Sequence, residues 1–265
     1  MRHPLVQAAV ALLACAALLA GLISLGQMMR ERLRDSSSHQ IPFNDINCTY
    51  PPQMDRAAFL GEVRYLGEFP EQIPLLDDEL PGKLAEAFAK HAWVERVDKV
   101  VVGPDRAVTV RLTFRTPVLI VQYAVTGTSA RSLTSREVDG AGVLLPRSRD
   151  ASGLPRLKPA VAPPAGGAGQ PWGNKLVERA ATLAALLHPH QPQLHLSQFD
   201  FANGEFRLTA GGGATVIWGN APGAETNKEP KAAAKLQRLL DYCDKHRTLD
   251  RPDATAVYDL RTAEN

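Results

Sequence analysis

The sequence lacks a charge excess of either sign. Its 30 lysine and arginine residues nearly balance 28 aspartate and glutamate residues, which leaves a formal net charge of +2. Proteins that bind nucleic acid concentrate basic residues on one face, where they neutralise phosphates. This balanced composition gives no electrostatic argument for such binding, so we expect no nucleic-acid partner.

Cysteine is scarce as well. The chain has three cysteines, and Cys15 lies within an apolar run, far from Cys48 and Cys243. A chain of 265 residues can form a hydrophobic core that needs no disulfide to stabilise it. We therefore interpret Cys48 and Cys243 as two free thiols, with their pairing in an oxidising compartment as the alternative.

Motifs for catalysis or cofactor binding are also missing. The sequence contains no Gly-x-Ser-x-Gly, His-Glu-x-x-His or Cys-x-x-Cys pattern. His188, His190 and His195 are the best metal candidates, but prolines separate them and no carboxylate follows at a suitable spacing. Asp139 and Asp259 are isolated carboxylates. We predict no catalytic residue, no metal, no cofactor and no small-molecule substrate.

One long apolar segment lies near the N-terminus. Leu5 to Gly26 contains no charged residue, and Gln7 and Ser24 are its only appreciably polar positions. At about 1.5 Å per helical residue, this run spans roughly 33 Å, whereas a bilayer core is about 30 Å thick. The pattern predicts a transmembrane helix over residues 5–27, preceded by a short tail of residues 1–4.

Two aspects of this segment stay open. Cleavage after Ala20 or Gly26 would make it a signal peptide, although the run is long for that purpose. Arg30, Arg32 and Arg34 follow the segment, and the positive-inside rule would place them in the cytoplasm. The family resemblance described below implies the opposite orientation.

The rest of the chain predicts an α+β fold in two domains. Residues 28–58 are polar and proline-containing, as expected for an extended stalk. Residues 59–117 form the first predicted domain, a small sheet with helical cover. Its elements follow a β–α–β–β order, with a strand, a helix bearing a periodic apolar face, and two strands: Phe59–Leu66; Leu80, Leu84 and Phe88; Val97–Val102; and Val108–Phe114.

Residues 118–265 form the second predicted domain, a mixed β-sheet with two helices. Residues 147–171 are rich in proline and glycine and are expected to be a loop. The other predicted elements are a strand, a hairpin, a helix, three strands, a helix and a final strand: Val118–Val125, Glu137–Leu145, Leu176–Leu187, Phe199–Phe201, Phe206–Thr209, Thr215–Trp218, Pro230–Cys243 and Thr255–Arg261.

Short motifs in these two domains resemble one protein family. They include a Trp-Val pair, an Arg-x-Pro-Val run, an Asp-x-x-Gly turn and a final Asp-Leu-Arg, with Phe114 in place of the usual glutamate. In chain order the matching segments are His91–Val97, Arg115–Val118, Val138–Val143, Leu154–Leu157, Ile217–Gly219, Lys235–Leu236 and Tyr258–Arg261. Together they resemble the FtsQ/DivIB family of bacterial cell-division proteins, which carry a POTRA domain and a β domain.

The resemblance implies a non-catalytic scaffold of the bacterial divisome. Such a protein is bitopic: it crosses the bacterial inner membrane once, with a cytoplasmic N-terminus and extracytoplasmic POTRA and β domains. The implied partners are FtsB/FtsL-like proteins and septal peptidoglycan synthesis proteins. The alternatives are a POTRA-bearing envelope protein in transport or secretion, and an envelope enzyme whose motif is unrecognised.

The final strand is the first candidate for partner binding. It is nearly uncharged until its end and contains no proline, so a partner strand can pair with it if it lies at a sheet edge. The predicted binding residues are Val257, Tyr258, Asp259, Leu260, Arg261 and Thr262. Two departures from the family are Thr262, commonly a tyrosine there, and the end of the sequence at Asn265. The alternative is that this final strand lies inside the sheet, paired on both sides. In that case, the strand Val108–Arg115 is the next candidate for partner binding.

Overall fold

The computed structural model describes residues 17–24, 39–126, 131–147, 153–246, 249 and 257–262. The chain divides into two compact units, which are described separately below. The first comprises residues 1–91 and 96–113, and the second comprises residues 92–95 and 114–265. Both units combine helices with sheets, and the second contains a large mixed sheet.

The predicted transmembrane helix is contradicted. Within the described ranges, no helix is long and apolar enough to cross a membrane. The described part of the apolar segment is a helix over residues 17–24. The remainder of residues 5–27 lies outside the described residues. The prediction of a single-pass inner-membrane protein is therefore wrong.

Among its described residues, the first unit contains the helix at residues 17–24, five strands and two further α-helices. The strands are β1 (Gln40–Pro42), β2 (Asn47–Cys48), β3 (Gln72–Pro74), β4 (Val94–Val102) and β5 (Val108–Phe114), and the helices are α1 (Arg56–Leu66) and α2 (Leu80–Ala89). β1 pairs with β3 in an antiparallel ribbon. β5 lies in the middle of a second sheet, parallel to β2 and with β4 on its other side.

The predicted strand Phe59–Leu66 is a helix, which corrects the β–α–β–β order. The Asp55 side chain accepts a hydrogen bond from the N–H of Ala58 at 2.9 Å and so caps the first turn of α1. Phe59 and Val63 are buried one helical turn apart, whereas Tyr65 is 82% exposed. The strand that precedes α1 in this sheet is β2, which pairs with β5 and lies within the predicted stalk.

Aromatic packing forms the centre of the first unit. Phe88 is fully buried on α2, and its ring centroid lies 5.9 Å from that of Phe59 on α1. The His91 imidazole packs edge-on against the Phe59 ring, with ring centroids 4.7 Å apart. Its Nε2 lies 3.1 Å from a Glu62 carboxylate oxygen. Burial lowers the pKa of His91, and Glu62 opposes this shift. Trp93 is buried and belongs to the second unit.

The second unit contains a seven-stranded mixed sheet in the order β12-β11-β10-β9-β8-β6-β7. Its strands are β6 (Leu119–Thr126), β7 (Arg131–Val138), β8 (Arg156–Val161), β9 (Leu196–Ala202), β10 (Glu205–Ala210), β11 (Thr215–Gly219) and β12 (Val257–Asp259), and its helices are α3 (Lys175–Leu187), α4 (Gln191–Leu194) and α5 (Ala232–His246). β6, β8 and β9 run parallel, as do β11 and β12.

Two strands of this sheet were not predicted. β8 lies within residues 147–171, which had been expected to form a loop because of their proline and glycine content. Its burial alternates between exposed and buried at its start, with Leu157 completely buried. β7 is largely polar, as suits a strand at the end of a sheet.

A buried ion pair explains two of the family-like motifs. The Arg115 guanidinium donates to an Asp139 carboxylate oxygen at 2.6 Å. The other oxygen of Asp139 accepts from the N–H groups of Ala141 and Val143, each at 2.9 Å. Gly142 completes this turn with a φ of 75°, which glycine adopts without steric cost. Asp139 therefore has a structural role in the fold.

Both described cysteines are free thiols, as interpreted from the sequence. Cys48 lies on β2, and Cys243 lies on the buried face of α5. Burial raises the pKa of Cys48 to about 11, with Arg56 opposing the shift. Burial also raises the pKa of Cys243 to about 11, with a contribution from Asp244. Because the thiolate is the reactive form, we expect both side chains to react slowly.

The core of the first unit makes a direct stability prediction. Phe88→Ala removes a fully buried ring from α2 and should lower the free energy of unfolding by about 3–5 kcal/mol. Tyr65→Ala, at an 82% exposed aromatic on α1, is the matched control and should change it by less than about 0.5 kcal/mol. Urea denaturation of the full chain measures both. Equal stability of the two variants would remove Phe88 from the core.

Candidate partner-binding edge

The final strand lies at one end of the seven-stranded sheet. β12 pairs with β11 in parallel, with Val257 opposite Thr215 and Asp259 opposite Ile217. Within the described part of the chain, no strand lies on its other side. Of the predicted binding residues, Val257, Tyr258 and Asp259 form the strand, and Leu260, Arg261 and Thr262 follow it.

The register shows which backbone groups of β12 point away from the sheet. The N–H of Leu260 donates to the carbonyl oxygen of Ile217 at 3.0 Å, so it points towards β11. Successive residues of a strand direct their N–H and C=O groups to opposite sides. The N–H and C=O groups of Val257 and Asp259 therefore point outwards, where a further strand would pair.

The side chains of β12 and the residues after it alternate between exposure and packing. Val257 is 60% exposed, whereas Leu260 is buried in the core of the unit. The Tyr258 ring packs against Tyr242 of α5, with centroids 4.2 Å apart, and their hydroxyl groups form a hydrogen bond. These contacts fix a strand that is too short to be stable alone.

An arginine beside the strand neutralises its carboxylate. The Arg261 guanidinium forms three hydrogen bonds with Asp259, the shortest at 2.6 Å, and contacts both carboxylate oxygens of Glu205 on β10 at 2.9 and 3.1 Å. The hydrogen bonds from Arg261 lower the pKa of Asp259, and the two carboxylates raise the pKa of Arg261. The Asp-Leu-Arg motif thus links β12 to β10 across β11.

A groove lies beside this edge, between β12 and α5. Its volume is about 290 Å³, and its lining includes Arg238 and Lys245 from the helix together with the Tyr242 and Tyr258 rings. Arg238 also donates to the carbonyl oxygen of Thr262 at 2.5 Å. The lining also includes Asp241 and Asp259, so the groove combines aromatic side chains with charges of both signs.

A buried lysine fixes α5 against β11. The Lys235 side chain is completely buried, and its ammonium donates to the Trp218 carbonyl oxygen at 2.8 Å and to Glu229. The ammonium also lies 5.2 Å from the centroid of the Trp218 ring. Glu229 in turn accepts from the backbone and side-chain nitrogens of Asn220, each at 2.8 Å.

The hydrogen bonds to Glu229 decide its protonation. Burial alone would raise the pKa of this carboxyl, but the bonds from Lys235 and Asn220 outweigh burial and lower the pKa. Glu229 therefore accepts these hydrogen bonds as a carboxylate. The pair includes the lysine of the Lys235–Leu236 motif quoted above.

Several residues of this region were missed by the sequence analysis. Glu205, Glu229 and Tyr242 were not singled out, and Lys235 was noted only as part of a motif. Lys235, Leu239 and Cys243 follow one another at intervals of four residues, which places them on the same buried face of α5. This spacing could have indicated from the sequence that Lys235 is buried. Glu205 and Arg261 are 56 positions apart in the sequence, so no local sequence pattern predicts their ion pair.

The other candidate residues do not join this region. His188, His190 and His195 follow α3, and within the described ranges no group of three or more histidine, cysteine or acidic side chains is arranged to hold a metal. Asp139 pairs with Arg115, as described above. The fallback strand Val108–Arg115 is a poor candidate edge, because β5 lies between β2 and β4.

Comparison with known proteins gives no assignment. No protein-family model matches the chain, and no curated protein matches its sequence. The resemblance to the FtsQ/DivIB family therefore depends on the short motifs quoted above.

The Lys235–Glu229 pair generates a second stability prediction. Lys235→Met leaves the Glu229 carboxylate buried without its cation and should cost about 3–5 kcal/mol of unfolding free energy. Lys231→Met removes a similar charge from an exposed lysine 3.8 Å from Glu225 and should cost less than about 1 kcal/mol. Adding Glu229→Gln to Lys235→Met should recover part of the loss. Chemical denaturation tests this series, and a fully stable Lys235→Met would contradict the role of the pair.

Proposed function

We propose that this chain is a non-catalytic scaffold that binds other proteins by adding their strands to β12. The observation that carries the proposal is the outward direction of the N–H and C=O groups of Val257 and Asp259. Unpaired groups of an edge strand bind an extended segment of another chain, a mode called β-augmentation. β12 has no proline or lysine that would block such pairing.

Backbone pairing alone supports only part of the expected affinity. Two residues offer up to four hydrogen bonds, and each contributes about 0.5–1.5 kcal/mol net. A micromolar complex needs about 8 kcal/mol, so side-chain contacts must contribute the rest. The groove beside β12 offers Tyr242 and Tyr258 for such contacts, and tyrosine is frequent among residues that dominate binding energy.

The motif resemblance supplies the biological setting of the proposal. We propose that the scaffold acts in bacterial cell division, with FtsB/FtsL-like proteins and septal peptidoglycan synthesis proteins as its partners. The support is the order of the family-like motifs and the structural role that several of them have. The Arg115–Asp139 pair, the Lys235–Glu229 pair and the Asp259–Arg261 pair each include residues of those motifs.

A proline substitution tests the proposed interface. Val257→Pro removes one outward N–H at an edge position, where proline is tolerated, so the chain should fold. Its affinity for the FtsB/FtsL-like proteins of the same bacterium should fall about tenfold or more. Val257→Ala truncates the side chain but keeps the N–H, so it should bind much more tightly than the proline variant. A well-folded Val257→Pro with wild-type affinity would exclude this edge.

Localisation tests the division role separately. A fluorescent fusion of the wild-type chain should concentrate at the division site of growing cells. The Val257→Pro fusion should be present at an equal level but lose part of that enrichment. Uniform distribution of the wild-type fusion through the cell cycle would contradict a role in division, whatever the outcome of the binding measurement.

A further inference from the structure

A second concave surface lies in the second unit. A cleft of about 780 Å³ opens at the amino ends of β8 and β9, beside Ile120 of β6. Arg156 is the first residue of β8, and Leu196 is the first residue of β9. The opposite wall is the chain after α3, formed by the turn at residues 188–190 and by α4. The volume falls in the range of small-molecule sites.

Hydrogen bonds fix the walls of this cleft. The Gln191 side-chain amide donates to the carbonyl oxygens of Gly153 at 2.9 Å and Leu196 at 2.6 Å, which joins the helical wall to the strand wall. The carbonyl oxygen of His195 accepts from the N–H of Gly211 at 2.8 Å. Because these bonds run between different elements, the cleft is largely formed before any ligand binds.

His195 has an unusual backbone conformation at the rim. It ends α4 in the left-handed region, with a φ of 48°. A side chain other than glycine is strained there by about 1–2 kcal/mol. Strain of this kind often accompanies a functional side chain. The chain therefore has a histidine at position 195, although glycine would adopt this backbone conformation with less strain.

The described lining contains basic side chains and no acidic ones. Arg156, His188 and His195 line the cleft, and this lining contains no aspartate or glutamate within the described part of the chain. Apolar side chains, among them Leu154 and Pro192, form much of the rest of the wall, together with the polar Gln191 and Ser197. A guanidinium binds an oxyanion through paired N–H groups, and imidazole N–H groups donate to the same oxygens. The apolar wall suits a hydrocarbon or aromatic body.

We propose that this cleft binds a small organic anion, a carboxylate or phosphate attached to an apolar body, with Arg156 and His195 contacting its oxyanion. This site is separate from the β12 edge, and its ligand class does not depend on the function proposed above.

Three probes distinguish the chemistry of the ligand. Phenylpropionate and phenyl phosphate carry the two oxyanions on a similar apolar body, and phenylpropanol is the neutral control. In the purified 265-residue chain, at least one anion should shift the amide resonances of His195 and Ser197 saturably below about 10 mM. The alcohol should bind at least about tenfold more weakly. The relative affinity of the two anions assigns the headgroup.

Three variants test the assigned residues. Arg156→Gln should weaken anion binding about tenfold or more. His195→Gly should also weaken it, while retaining or raising stability because glycine suits that backbone conformation. Lys158→Gln, two residues along β8 and outside the lining, makes the same change in net charge and should shift affinity by less than about twofold.

Four outcomes would overturn the proposal. The first is the absence of saturable binding by both anions, and the second is equal binding of the neutral alcohol. The third is wild-type anion binding by Arg156→Gln. The fourth is an equal loss of affinity in Lys158→Gln, which would indicate nonspecific charge attraction.

Discussion

The second unit depends on a lysine ammonium buried between a helix and a sheet. An isolated charge in such a place would cost several kcal/mol in lost hydration. The Trp218 carbonyl oxygen and the Glu229 carboxylate offset that cost, and Asn220 holds Glu229 in place. This arrangement permits little variation, because a shift of α5 along the sheet would separate the ammonium from both acceptors. The position of α5 on β11 is therefore specified by polar contacts as well as by apolar packing.

The edge strand depends on that position. β12 has three residues, and its packing partner Tyr242 comes from α5. Arg238 from the same helix contacts the Thr262 carbonyl, and Arg261 joins β12 to Glu205 on β10. Each contact involves a residue whose place is set by the buried lysine or by the sheet. A short strand held in this way is ordered in the free chain, so the strand pairing that we propose would lose less entropy.

The sequence predicted the elements whose apolar spacing was regular. α2, α3, α5 and β5 follow the helical or alternating pattern, and they lie where that pattern placed them. Phe59–Leu66 was misassigned because its apolar positions fit a strand as well as a helix, and the capping role of Asp55 was not recognised. β8 was missed because prolines and glycines surround a strand whose pairing comes from distant neighbours. The transmembrane prediction rested on length and composition alone, and the structure does not support it.

The candidate site was only partly visible in the sequence. The final strand could be proposed as an edge from its composition, but its pairing with β11 and the resulting direction of its backbone groups required the structure. The partners of Arg261 and Lys235 depend on tertiary contacts that no local pattern reports. The cleft beside Arg156 could not be predicted either, because its lining comes from segments distant in the sequence, although His188 and His195 had been noted.

Residue-resolved hydrogen exchange of the free chain tests the central claim most directly, since it reports which backbone groups of β12 are already bonded. The account predicts that the amide of Leu260, bonded to Ile217, exchanges slowly, whereas the amides of Val257 and Asp259 exchange much faster. Equally strong protection of Val257 and Asp259 in the free chain would show that another segment already covers this edge. That result would contradict an accessible binding strand.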